Sequence, residues 1–141
     1  MTPSKTKQSV SFRFDPITVR RLKDHAVEAG AGQTALAERY IKEGIRRDEH
    51  PLVYFREGAA GRRPALLGSR LAIADIVTTI RQNGGSVEGA ADYLEIPVEQ
   101  IEAAARYYAE YKGEVDELIE RAQLAAEREH ERARRQQEAL G

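Results

Sequence analysis

Cysteine is absent from the 141 residues, which excludes a disulfide scaffold, a thiolate zinc site and a cysteine nucleophile. No apolar run approaches the roughly 20 residues of a membrane-spanning helix. The basic start MTPSKTKQSV leads into no apolar stretch of the kind a signal peptide carries. A cytoplasmic protein with no membrane partner is the expectation. Aromatic residues are scarce, at 6%, and apolar residues (41%) are nearly balanced by charged ones (32%). That balance suits a modest core beside a long solvated face rather than a large enzyme core.

Net charge is also small, −1 from 22 basic and 23 acidic residues, but the charges are ordered along the chain. Residues 1–23 hold six basic groups (Lys5, Lys7, Arg13, Arg20, Arg21, Lys23) against Asp15 alone, a net +5. Residues 114–141 hold five basic and eight acidic groups, a net −3. This polarity fits a nucleic-acid-facing start and a protein-facing end; the plainer alternative is charge that only solvates exposed faces.

Hydrophobic periodicity predicts a mainly α chain. Residues 1–8 read as a flexible basic arm. SVSFRF, residues 9–14, alternates strictly: Val10, Phe12 and Phe14 face one side and Ser9, Ser11 and Arg13 the other, as in a half-buried strand. Asp15-Pro16 is a helix start, and the first helix, with Val19, Leu22, Ala26 and Ala29 on one stripe, ends at Gly30 and Gly32. Thr34 is the predicted N-cap of a second helix presenting Leu36, Ala37, Tyr40, Ile41 and Ile45, which fades near His50-Pro51. Leu52–Phe55 and Arg62–Leu67 read as a short hairpin about a Gly58–Gly61 turn, with Pro64 at an edge position.

Three helices follow: Ala72–Gln82, one capped by Ser86, and one opened by Pro97, each with an i, i+3, i+4, i+7 apolar stripe. In the last of these Ile101, Ala104, Ala105 and Tyr108 form the stripe, which leaves Tyr107 and Tyr111 as candidate partner anchors. Gly113 is the predicted interruption before a final segment. That segment starts amphipathic (Val115, Leu118, Ile119, Ala122) and becomes almost wholly charged from Glu127 to Gln137. It is either a solvated helix held by i,i+4 pairs or a tail that orders on a partner. Arg128, Arg132, Arg134 and Arg135 are its candidate contact residues.

A single six-residue strand cannot stand alone, and the first 50 residues offer no second one. The economical solution is a homodimer in which two copies of residues 9–14 pair as an antiparallel ribbon over four helices. Val10, Phe12, Phe14, Leu22, Leu36 and Tyr40 would form the dimer core. This arrangement of SVSFRFDP, a helix, a glycine-bearing turn and a second helix resembles the ribbon-helix-helix DNA-binding family. The resemblance implies a ribbon in the major groove of double-stranded DNA. Ser9, Ser11 and Arg13 would then lie at the bases, with Lys7 just before them as a further DNA contact, and Gln33 and Thr34 at a phosphate. Without that fold, Arg13 is an ordinary solvated strand residue.

Residues 50–112, through Pro64, Gly68-Ser69-Arg70 and IPVEQIEAAARYYAEY, resemble a small domain of unknown function that accompanies bacterial antitoxins. With the first module, the chain resembles a VapB-like type II antitoxin. The implied organisation is an arm at 1–8, a ribbon-helix-helix domain at 9–49, a small helical domain with a hairpin and helix-turn-helix-like helices at 50–112, and a charged C-terminal helix or tail at 113–141. The implied function is operon autorepression and neutralisation of a toxin, a PIN-type ribonuclease. Two other readings stay open: a ribbon-helix-helix regulator or nucleoid-associated binder without a toxin, and an adaptor whose strand only dimerises. Glu99 and Glu102 at the start of the helix opened by Pro97 argue against that helix entering a DNA groove. Arg70 is read either as binding helix-terminal carbonyls or a neighbouring carboxylate, or as a partner contact.

No catalytic constellation is legible. His25, His50 and His130 are widely separated in sequence, GAAGRRP lacks the spacing and the Lys-Ser/Thr ending of a phosphate loop, and no metal-ligand spacing occurs. A non-enzyme with no cofactor is expected.

Overall fold

In the computed structural model, which describes residues 6–58 and 61–141, Asp15 and Pro16 open the first helix, α1 (Pro16–Ala29). The Asp15 carboxylate accepts from the Thr18 N–H at 3.0 Å, which satisfies one orphan donor of the first turn. Gly30 closes the helix in the left-handed region at φ 63, where its N–H meets the carbonyls of Ala26 and Val27. The next helix, α2 (Gln33–Glu49), begins one residue before Thr34, so Thr34 lies in its first turn and is not its cap. The Leu36 N–H reaches the Gly32 carbonyl at 3.0 Å, which starts the helix ladder upstream of the predicted cap.

The predicted strand at 9–14 makes no ladder among the described residues. The physical reason is that a strand needs an edge to pair with, and residues 6–42 hold only helices besides it. Of the predicted arm, residues 1–5, including Lys5, lie outside the described residues.

After α2 come β1 (Val53–Gly58) and β2 (Gly61–Leu66), antiparallel, with Val53 opposite Leu66, Phe55 opposite Pro64 and Arg56 opposite Arg63. The predicted turn positions 59 and 60 lie outside the described residues. The hairpin is followed by α3 (Ile73–Gln82), α4 (Val87–Leu94), α5 (Val98–Glu110) and α6 (Lys112–Leu140). Ala72 is the N-cap of α3 and not its first residue. Ser86 caps α4 as predicted, accepting from the Gly89 N–H at 2.8 Å. The joint between α4 and α5 uses Glu95 at φ 57, a left-handed position that a side chain adopts only at a cost of roughly 1–2 kcal/mol. The described residues thus form a mainly helical chain with one two-stranded antiparallel sheet.

Two compact units divide the chain, one up to Lys42 and one from Glu43 onward. The first has almost no core of its own: only Ala26 and Leu36 are buried among its described residues. The second encloses a continuous cluster of Val53, Leu66, Ile73, Ile76, Val77, Ile101, Val115 and Ile119 around Tyr107. Each large aliphatic side chain there contributes about 1.5–3 kcal/mol by leaving water. Ala90 and Ala104, fully buried, lie in the same cluster. α3 packs on α4, α5, α6 and β2, and α5 on β1.

Three predictions in this unit are corrected. The break before α6 falls at Tyr111 (φ −117, ψ 39), and Gly113 sits inside the first turn of α6. Tyr107 and not Tyr108 fills the core: α5 turns its Ile101, Ala103, Ala104 and Tyr107 face inward, leaving Tyr108 half-buried. Ala122 is exposed, since α6 leaves the core after Ile119. Beyond that point α6 runs as helix to Leu140.

Candidate functional site

Residues 7–14 carry their large apolar side chains into solvent. Val10, Phe12 and Phe14 are 65%, 62% and 58% exposed. The two rings lie 6.2 Å apart, which places them on one side of the segment as the alternation requires. Ile17, Tyr40 and Ile41 are also exposed, while Leu22 is half-buried and Leu36 buried. Of the six predicted dimer-core residues, the single chain therefore buries Leu36 fully and Leu22 in part, and leaves the other four open.

The predicted DNA contacts sit on the same unit. Ser9, Ser11 and Arg13 are exposed, and Arg13 has no carboxylate partner among the described residues. Lys7 pairs with Glu38 at 3.2 Å, and Lys42 reaches the other Glu38 oxygen at 3.2 Å. Their hydrogen bonds hold the Glu38 carboxyl below its ordinary pKa. Gln33 and Thr34 are exposed in the first turn of α2, which bears no acidic side chain. Backbone N–H groups at such a terminus, free of a competing carboxylate, suit an anion.

The predicted partner anchors behave otherwise. Tyr107 is fully buried, and burial pushes its phenol up to about 12. Tyr111 stacks 4.9 Å from Tyr107 and donates to Glu49 at 3.1 Å. Both rings therefore bind the end of α2. Arg46 lies 4.2 Å above the Tyr111 ring, donates to the Tyr107 hydroxyl at 3.4 Å, and forms two 2.6 Å bonds to Glu114. Burial opposes its charge, but the Glu114 bonds outweigh that and raise its pKa. His50, 5.2 Å from the Tyr107 ring, pairs with Glu110. The sequence singled out Tyr107 and Tyr111 but not their partners Arg46, His50, Glu110 and Glu114, because the two halves of the knot are about 60 residues apart and these four look like ordinary surface charge.

On α6, Arg132, Arg134 and Arg135 are answered by its own Glu129 and Glu131 at 3–4 residue spacing, and Arg128 has no ion pair among the described residues. All four arginines are exposed. Beside the knot, Leu52, His50, Ala103 and Arg106 line a cavity of about 70 Å³, too small for a cofactor. No group of three or more metal-ligating side chains occurs among the described residues, and no described helix is long and apolar enough to cross a membrane. Comparisons with protein-family models, with curated proteins and with solved structures return no match.

Proposed function

We propose that the chain is a DNA-binding antitoxin. Residues 9–49 of two copies form a ribbon-helix-helix dimer on an operator, and the remainder engages a partner protein, a PIN-type toxin. The observation that carries the DNA-binding half is the row Val10, Phe12 and Phe14, more than half exposed on a segment with no ladder partner among the described residues. A second copy of the segment supplies the missing edge and covers the row. At about 25 cal/mol per Å² and 150–250 Å² per aromatic ring, with about 0.6 of each ring still open to water, the four phenylalanines of a dimer would contribute on the order of 9–15 kcal/mol before ordering costs. Arg13 on the opposite side, without a carboxylate partner among the described residues, and the acid-free start of α2 support a nucleic-acid face. The exposed Glu99 and Glu102 speak against α5 as a second reader.

The test is sedimentation of the full chain with and without a duplex carrying its upstream region, together with co-expression with the neighbouring reading frame. A dimer that binds this duplex above random DNA supports the reading; a monomer with equal affinity for both overturns it.

A regulator without a toxin is the second reading. Its support is the internal use of Tyr107 and Tyr111 and the self-paired arginines of α6, which leave the expected partner anchors committed within the chain.

A further inference from the structure

The two faces of the hairpin are built on different rules. Val53, Phe55 and Leu66, with Pro64, face the core. On that face Arg62 is fully answered, by Glu43 at 2.5 and 2.7 Å and by Glu57 at 3.4 Å. Strand alternation puts Leu52, Tyr54 and Arg56 on the opposite face, with Leu67, Ala65 and Arg63. The Leu67 N–H to Leu52 carbonyl bond, 2.8 Å, carries the pairing to the base of the hairpin.

Here Arg56 and Arg63 stand directly across from each other with no carboxylate partner among the described residues. Like charges at opposed positions destabilise a hairpin. Both are nevertheless held close to the sheet. Arg56 donates to the Arg70 carbonyl, and Arg63 runs over Gly58, where a Cβ would come within 2.5 Å of its Nε. Each buries its Nε without an acceptor among the described residues. At the base, Leu52 and Leu67 are 41% and 43% exposed, and the half-buried Tyr54 lies between them and the arginines.

We infer that this outer face is a docking surface for a protein partner that presents an apolar side chain flanked by carboxylates. The charge assigns the rim: two arginines without acidic partners, with Arg70 exposed beside them, complement acidic groups. The leucines assign the centre and separate a protein from a nucleic acid, because phosphates would bury nothing at Leu52 and Leu67. Tyrosine, arginine and paired aliphatics are also the composition of an interface centre. Gly58 has a role here, since only its missing side chain lets Arg63 lie across the sheet. The inference rests on the partner-binding half of the proposed function and is independent of the DNA-binding half.

The experiment pans a displayed library of random peptides on the full-length chain, then measures the consensus peptide by fluorescence anisotropy. The expected consensus has a Leu, Ile or Phe between two or more Asp or Glu residues, and tighter binding at low salt. The Arg56→Ser/Arg63→Ser double variant is expected to weaken it by about tenfold or more, because both flanking charges that answer the peptide's carboxylates are lost together. Leu67→Ser, which touches no arginine, is expected to weaken it as well, and keeps the test open if the double variant misfolds. The absence of a consensus, or a consensus peptide indifferent to these variants, overturns the inference. The same variants are titrated with a random-sequence duplex beside Arg13→Ala. DNA affinity lost through Arg56 and Arg63, with peptide binding absent, makes the face a nucleic-acid contact and overturns the inference. DNA affinity lost only through Arg13 leaves it standing, and failure of Arg13 to matter touches the DNA reading alone.

Discussion

Arg46, late in α2, grips Glu114, early in α6, through two parallel 2.6 Å bonds while its guanidinium covers the Tyr111 ring. The side chain of Arg46 is only 16% exposed and that of Glu114 53%, so the guanidinium end of the pair is sheltered while the carboxylate end meets solvent. Arg46→Ala also strips the buried Tyr107 hydroxyl of its donor. The expected loss is about 2–3 kcal/mol in urea unfolding, with Arg46→Lys in between because an ammonium cannot reproduce the fork. A double-mutant cycle with Glu114→Ala checks the assignment; a coupling near zero would remove the pair as the cause.

Phe12→Ala is expected to abolish dimerisation. The residue is exposed in the single chain, so its truncation leaves no cavity there, and any loss of about 3–5 kcal/mol must come from the covered state. Sedimentation equilibrium reads the effect directly. A Phe12→Ala chain that remains dimeric places the dimer interface elsewhere.

For DNA, Arg13→Ala is expected to cost roughly 1–3 kcal/mol at one base pair of the operator and to relax specificity there. Lys7→Ala is expected to act uniformly across sequences and to flatten the salt slope by about 0.9 per lost phosphate contact in each protomer. Gel-shift titrations at several salt concentrations separate the two. Equal losses on operator and random duplex would make Arg13 a phosphate contact.

Asp116 gives the chain an acid-sensitive joint. Hydrogen bonds from Lys112, Tyr108 and Arg81 hold its carboxyl down to about 2, from an ordinary 3.8. A carboxylate whose pKa is lowered by folding stabilises the fold in its charged form. Its contribution is complete above the unfolded value and disappears as the pH falls from about 4 through about 2. Asp116→Asn is therefore expected to lower the melting temperature at neutral pH and to flatten the acid limb in that window. An unchanged acid limb would mean that the joint does not hold in solution.

What the sequence conveyed, and what it withheld, follows from range. Caps and stripes are local, so Asp15-Pro16, Gly30, Ser86 and the Ile73–Ile80 stripe were readable from a few neighbours. The hairpin was legible to within three residues because alternation and the Gly58–Gly61 turn are local too. The orientation of α5 was not: at Tyr107-Tyr108 two identical rings sit 100° apart on the helix, and the choice belongs to α2 and α6, which supply Arg46 and Glu114. The asymmetry of the hairpin was hidden for the same reason. Arg62 and Arg63 are adjacent and alike, and only the strand register gives one of them to Glu43 and leaves the other opposite Arg56.

The last prediction concerns the end of α6. Its burial stops at Ile119, and from Glu120 to Leu140 the helix extends about 30 Å with every residue exposed but the half-buried Glu131. The Glu131 pairs with Arg134 and Arg135, at 2.6 and 3.3 Å, lie within this one helix and tie it to nothing else. Pairs of this kind contribute about 0.3–0.5 kcal/mol each to helicity and leave the core untouched. Deleting residues 124–141 is therefore expected to change unfolding free energy by less than about 0.5 kcal/mol, the range of a remote surface change. Circular dichroism is expected to show the loss of only the deleted turns. Partner binding then discriminates between two surfaces. If the outer face of the hairpin seats the partner, the truncated chain retains its affinity and the Arg56→Ser/Arg63→Ser variant does not. If the truncation alone abolishes binding, Arg128 and its neighbours on α6 are the contact, and the hairpin arginines need another role.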